Sequence, residues 1–138
     1  MKDEDPVSYF RWDKALQNML TEKDLLTDII ANAPSGSIWN ITEDSWERIP
    51  VDFSKYQIPY RGNGWDIEIS EGNHEDLIKK IEEFEIYDKI VHQRLFWQGE
   101  LLFVSYDHMT GPYIRRDFPS FSFLLEKYSK CEFYWVSR

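Results

Sequence analysis

Apolar side chains recur along this chain at two different periods, and each period predicts a type of element. Trp12, Leu16, Met19 and Leu20 stand at helical spacing, which predicts a helix over residues 8–20. Thr21, with Asp24 three positions on, reads as the N-cap of a second helix in an approximate capping box. Leu25, Leu26, Ile29 and Ile30 form its apolar face, and Ala33-Pro34-Ser35-Gly36 ends it. Ile38, Trp39 and Ile41 then mark a short strand over residues 37–42. Residues 43–64 sustain no period and are punctuated by Pro50, Pro59, Gly62 and Gly64. A connection this long inside a compact domain often carries function.

Period two returns at Trp65-Asp66-Ile67-Glu68-Ile69-Ser70. Trp65, Ile67 and Ile69 share one side, and Asp66, Glu68 and Ser70 the other, so this stretch predicts a half-buried strand with an acidic, solvated face. Asn73 is placed to cap a helix running through Phe84, with Leu77, Ile78, Ile81 and Phe84 inward. Glu75 and Asp76 fall in its first turn, where the helix dipole favours negative charge. Residues 89–98 and 100–108 are rich in β-branched and aromatic side chains and meet at Gln98-Gly99, which predicts a hairpin. Met109 to Pro112 reads as a turn. Phe121, Leu124, Leu125 and Tyr128 predict a helix over residues 120–129, and residues 132–137 a last strand. Helices and hairpin strands mix without a βαβ rhythm. The expectation is therefore one α+β domain over residues 1–138, with a mostly antiparallel sheet of about five strands and helices packed on one face.

The 138 residues include six Trp, eight Tyr and nine Phe, more rings than one small core readily hides, so some are expected on a binding surface. The same surplus would serve a homodimer. Cys131 is the only cysteine, which excludes an internal disulfide and fits a reducing compartment. The N-terminal residues are charged and lead into no apolar run, and no stretch reaches the roughly 20 apolar residues of a membrane helix, so a cytoplasmic protein without a membrane contact is expected.

Net charge is −9, and it is unevenly spread. Residues 1–42 carry 4 basic and 7 acidic groups, residues 43–88 carry 5 and 13, and residues 89–138 carry 7 and 5, giving −3, −8 and +2. Such a field repels nucleic acid and anionic membranes and favours a basic protein partner.

Catalytic patterns are weak by comparison. His74, His92 and His108 are far apart and share no metal-ligand spacing, so neither a metal nor another cofactor is expected. Cys131, between Lys130 and Glu132, reads as a small core hydrophobe. Gly62-Asn63-Gly64 has neither the spacing nor the lysine of a phosphate-binding loop, and a turn before Trp65 accounts for it. Asp66 and Glu68 suit a solvated sheet face better than a glycosidase pair. Asp107 and His108 are the best acid–base candidates, yet adjacent strand residues point to opposite faces. Arg115-Arg116 could hold a phosphate or carboxylate, but reads better as surface charge balancing the acidic middle.

The strongest functional signal lies between Glu43 and Glu85. Acidic groups there accompany Trp46, Tyr56 and Tyr60, which read as exposed rings, and rings of this type anchor interfaces while charge steers the partner. The expected partner-binding residues are Glu43, Asp44, Trp46, Glu47, Tyr60, Asp66, Glu68 and Glu71. The size, acidity and Trp/Tyr content, with the Leu101-to-His108 run, Phe118-Pro119-Ser120-Phe121 and a closing strand, resemble the immunity proteins of bacterial polymorphic toxins and contact-dependent inhibition systems. The resemblance implies a non-enzymatic, antitoxin-type inhibitor that masks a basic toxin or effector, and it assigns no role to single residues. Two other readings stand beside it: a structural or regulatory subunit acting through an aromatic patch, and a small enzyme with a site near Asp107, His108 and Arg115.

Overall fold

The computed structural model describes residues 8–12, 19–45, 51–58, 64–84, 90–106, 110–115, 117–128 and 133–137. Along the chain these form β1 (Ser8–Trp12), α1 (Met19–Asn32), β2 (Ser37–Ile41), α2 (Val51–Ser54), β3 (Trp65–Ile69), α3 (His74–Phe84), β4 (Gln93–Trp97), β5 (Glu100–Tyr106), β6 (Thr110–Arg115), α4 (Phe121–Lys127) and β7 (Phe133–Ser137). The strands make one antiparallel sheet in the order β3-β2-β4-β5-β6-β1-β7. The class is α+β, as the periodicity predicts, but the sheet has seven strands.

The two additional strands correct two sequence expectations. Residues 8–12 are β1 rather than the start of a helix, and Met19 and Leu20 already belong to α1, so Thr21 lies inside α1 and is not its cap. Ser-Tyr-Phe-Arg-Trp holds three strong strand formers, Tyr9, Phe10 and Trp12, in a run too short for periodicity to decide, and pairing with β6 and β7 decides it. Thr110–Arg115 is β6, where Gly111-Pro112 signals a turn. Proline is rarely tolerated between two strands. Here the register with β5 shifts between Val104 and Tyr106, so the pairing steps from Tyr106↔Thr110 to Val104↔Tyr113. The irregularity absorbs the dipeptide that would otherwise interrupt the ladder.

One row of register partners crosses the sheet: Ile67, Trp39, Leu95, Phe103 and Ile114, continuing along the backbone at Phe10 and Trp135. The first five are fully buried. They join Leu25, Leu26, Ile29 and Ile30 of α1, Phe53 of α2, Leu77 and Ile81 of α3, and Leu124 of α4 in one core cluster. The helices thus cover one face of the sheet. Each such side chain stabilises the fold by roughly 1.5–3 kcal/mol through area removed from water. Trp39 is central: its ring meets Phe53 edge-on with centroids 6.0 Å apart, and its Nε1 donates to Gln93 Oε1 at 2.8 Å. That bond allows a glutamine with no exposed surface to sit in an apolar layer.

Local chemistry closes the connections. Gln98 and Gly99 both have positive φ, 50° and 79°, the geometry a two-residue hairpin turn needs between β4 and β5. Asn73 precedes α3, but its side chain turns back rather than forward. Its Oδ1 accepts from the Ser70 amide at 2.8 Å and its Nδ2 donates to the Glu68 carbonyl at 2.7 Å, closing the β3–α3 turn.

Candidate partner-binding surface

Of the residues singled out for partner binding, Glu43, Asp44, Asp66, Glu68 and Glu71 fall on the β2–β3 edge of the sheet and its flanking turns. On the face away from the helices, Asp66 of β3 is the register partner of Asn40 of β2, and Asn40 of Arg94 of β4; the row continues at Val104 and Tyr113. The adjacent row runs Glu68, Ile38, Phe96 and Leu101. Ile38, Phe96 and Leu101 are half-buried, and Glu68 is exposed. The surface therefore has an apolar strip with charge at its β3 end.

Glu43 and Asp44 follow β2 directly, both exposed. An open cleft of about 340 Å³ is lined by Thr42, Glu43, Asp44, His92 and Arg94. Thr42 builds it. Its amide donates to the His92 carbonyl at 3.1 Å, and its hydroxyl donates to Asp44 Oδ1 at 2.5 Å, holding that carboxylate over the end of the sheet. Ser45 Oγ accepts from the Val91 amide at 2.8 Å, which fixes the loop against the approach to β4. His92 Nε2 lies 3.9 Å from Asp44 Oδ2, an ion pair only when the imidazole is protonated. Arg94 extends from the row with an exposed side chain.

Thr42 is four residues from Ile38, about 13 Å along the strand. At that other end, Glu68 helps line a second cleft of about 370 Å³ with Lys55, Tyr56, Gln57, Ile58, Ser70, Gly72 and Asn73, and Glu71 is exposed in the adjoining turn. Asp76, in the first turn of α3, organises this end. It accepts from the Tyr56 phenol and, at 3.1 Å, from Lys80 Nζ one helical turn on, and Lys55 Nζ lies 3.4 Å away. The hydrogen bonds from Tyr56 and Lys80, with the Lys55 charge, hold the Asp76 carboxyl at about 2, well below its ordinary value. Lys55 is raised, chiefly by the Asp76 charge, and Tyr56 is raised, chiefly by its bond to Asp76.

Two expectations need correction. Asp66 is not on a solvated face: it is 7% exposed, and its Oδ1 accepts from Asn40 Nδ2 at 2.7 Å. Tyr56 is not an open ring but half-buried against the core, with its hydroxyl engaged by Asp76. Trp46, Glu47 and Tyr60 lie outside the described residues, as do Asp107, His108, Arg116 and Cys131. Arg115 is ion-paired with Glu100 at 2.6 Å and Asp117 at 2.9 Å, both outside the acidic middle segment. His74 Nε2 donates to the Ala33 carbonyl at 2.8 Å, tying α3 to the end of α1. Among the described residues no three His, Cys, Asp or Glu side chains converge as a metal site, and no helix is long and apolar enough to cross a membrane.

His92, Arg94 and Asn40 belong to the surface yet carried no sequence signal for it. Alternation within β4 places Arg94 opposite Leu95, but only the β2–β4 pairing brings it beside Asn40 and the Asp44 loop. Compared with known protein families, curated proteins and solved structures, the chain matches none.

Proposed function

We propose that this is a binding protein whose β2–β3 surface takes a basic protein partner, acting in the cytoplasm as an immunity or antitoxin-type inhibitor that masks a toxin or effector. One observation carries the reading. The half-buried strip Ile38, Phe96 and Leu101 ends at the exposed carboxylate of Glu68, with Glu71 exposed in the adjoining turn, and the exposed carboxylates of Glu43 and Asp44 stand past the other end of β2. Apolar surface bordered by charge is the anatomy of a protein interface. Rim carboxylates raise the rate of encounter with a cationic partner, and salt screens them. Arg94 and Lys55 punctuate the negative rim, so the partner needs a matching pattern of charge and not merely a positive surface.

The test is capture of partners from the native host by wild-type protein and by a variant reversing all four exposed carboxylates (Glu43→Lys, Asp44→Lys, Glu68→Lys, Glu71→Lys). Asp66 is left alone because it is buried. The expected result is one stoichiometric basic protein whose activity the wild type inhibits, lost at high salt and with the variant. Capture that is indifferent to both salt and charge reversal would refute the assignment of this surface.

A further inference from the structure

The sheet ends in two edges, β3 and β7, and they differ. The β3 edge is covered. Glu68 donates its amide to the Tyr56 carbonyl and Ile58 its amide to the Asp66 carbonyl, both at 3.0 Å, with Gln57 bridged to Ile67. Among the described residues no segment pairs with the outer side of β7. An edge is ordinarily blunted by charge, proline, a bulge or a covering segment. Phe133-Tyr134-Trp135-Val136-Ser137 contains no charge and no proline, and its register with β1 is unbroken over all five pairs.

We propose that β7 pairs antiparallel with β7 of a second copy of this chain, about a two-fold axis at Trp135. Strand composition permits it: Phe133 then stands opposite Ser137 and Tyr134 opposite Val136, and no charge meets a charge. Register favours it, because Trp135 occupies the same row as Phe10, Ile114, Phe103, Leu95, Trp39 and Ile67, so the join carries one apolar row from copy to copy. Charge placement selects this edge. The −8 segment, residues 43–88, supplies β3 and α3, whereas β7 belongs to the +2 segment. Six strand spacings place β3 about 29 Å from β7, more than three Debye lengths of about 8 Å at physiological ionic strength. Two copies therefore meet away from their most negative segment. A head-to-tail join of β7 to β3 would gain more attraction, but the β3 edge is already occupied. The two-fold pairing is closed, so it yields a dimer rather than a fibre. It leaves the β2–β3 surface of each copy at the distal ends, independent of what that surface binds.

The test is the mass of the full chain by sedimentation equilibrium from micromolar to hundreds of micromolar, with hydrogen exchange at both extremes. The expected result is a doubling of mass with slower exchange of the 133–137 amides at high concentration, while β3 amides are unchanged. A variant with Tyr134→Lys and Val136→Lys places lysine opposite lysine and should stay at monomer mass with the wild-type circular dichroism. A wild type that remains monomeric throughout, a folded variant that still dimerises, or a dimer without concentration-dependent protection of residues 133–137 would each overturn the proposal. Should the variant fail to fold, the wild-type exchange pattern decides.

Discussion

The Tyr56 phenol donates to the Asp76 carboxylate and so ties the segment covering β3 to the first turn of α3. The carboxyl sits at about 2 because its charged form receives this bond and that of Lys80. A depressed carboxyl contributes stability that is fully present above its ordinary value of 3.8 and lost as pH falls toward about 2. Carboxyl-detected NMR should find the Asp76 midpoint near 2, and Tyr56→Phe should raise it toward 3.8. The same variant should speed exchange of the Ile58 amide. An ordinary midpoint in the wild type would mean that the Tyr56 bond does not form in solution.

Trp39 and Gln93 test what a buried hydrogen bond contributes to the core. Trp39→Phe leaves Gln93 Oε1 without the indole donor, and an unmet buried polar group costs about 1–3 kcal/mol beyond the lost area. Gln93→Leu strands the indole N–H in turn. The double variant removes both groups, so urea unfolding should show it less destabilised than the sum of the singles. Simple additivity would show that the bond contributes nothing.

Gly64 is required by space as well as by backbone. Its φ is +105°, and a Cβ there would lie 2.1 Å from the Ile41 carbonyl oxygen and 2.9 Å from Thr42 Cα, backbone atoms that cannot rotate away. Gly36, at φ +93°, has nothing within 4 Å of such a Cβ. Gly36→Ala should lower stability by about 1–2 kcal/mol from backbone strain alone. Gly64→Ala should cost clearly more, measured by thermal unfolding. Equal losses would show that β2 yields to the added methyl.

Asp66 and Glu68 share a strand face but should behave oppositely. Asp66→Lys buries an unpaired charge and removes the acceptor of Asn40, which should destabilise by about 3–5 kcal/mol. Glu68→Lys, on the exposed surface, should stay within about 0.5 kcal/mol of wild type. Chemical denaturation of the two variants separates a residue that holds the fold from one free to serve a partner.

Much of this is legible in the sequence. The faces of α1, α3 and α4 and the turn at Gln98-Gly99 follow from side-chain period and from the dihedrals that glycine permits. So does the alternation of β3. These are local properties, set by neighbours a few positions away, and the chain specifies them by itself. What depends on residues far apart was not legible. Ser8–Trp12 is compatible with either period until β6 and β7 flank it, and Gly111-Pro112 reads as a turn until a shifted register accommodates it. Alternation told which side of β3 carries Asp66, but not that this side is closed around it. The cleft of Thr42, Asp44, His92 and Arg94 exists only because residues some 50 positions apart pair across β2 and β4. The chain alone determined the class, the helix faces and the acidic middle. The tertiary structure decided which strands pair, which carboxylates meet water and that the 51–58 segment covers the β3 edge, because pairing and burial are properties of distant segments brought together and not of any one of them.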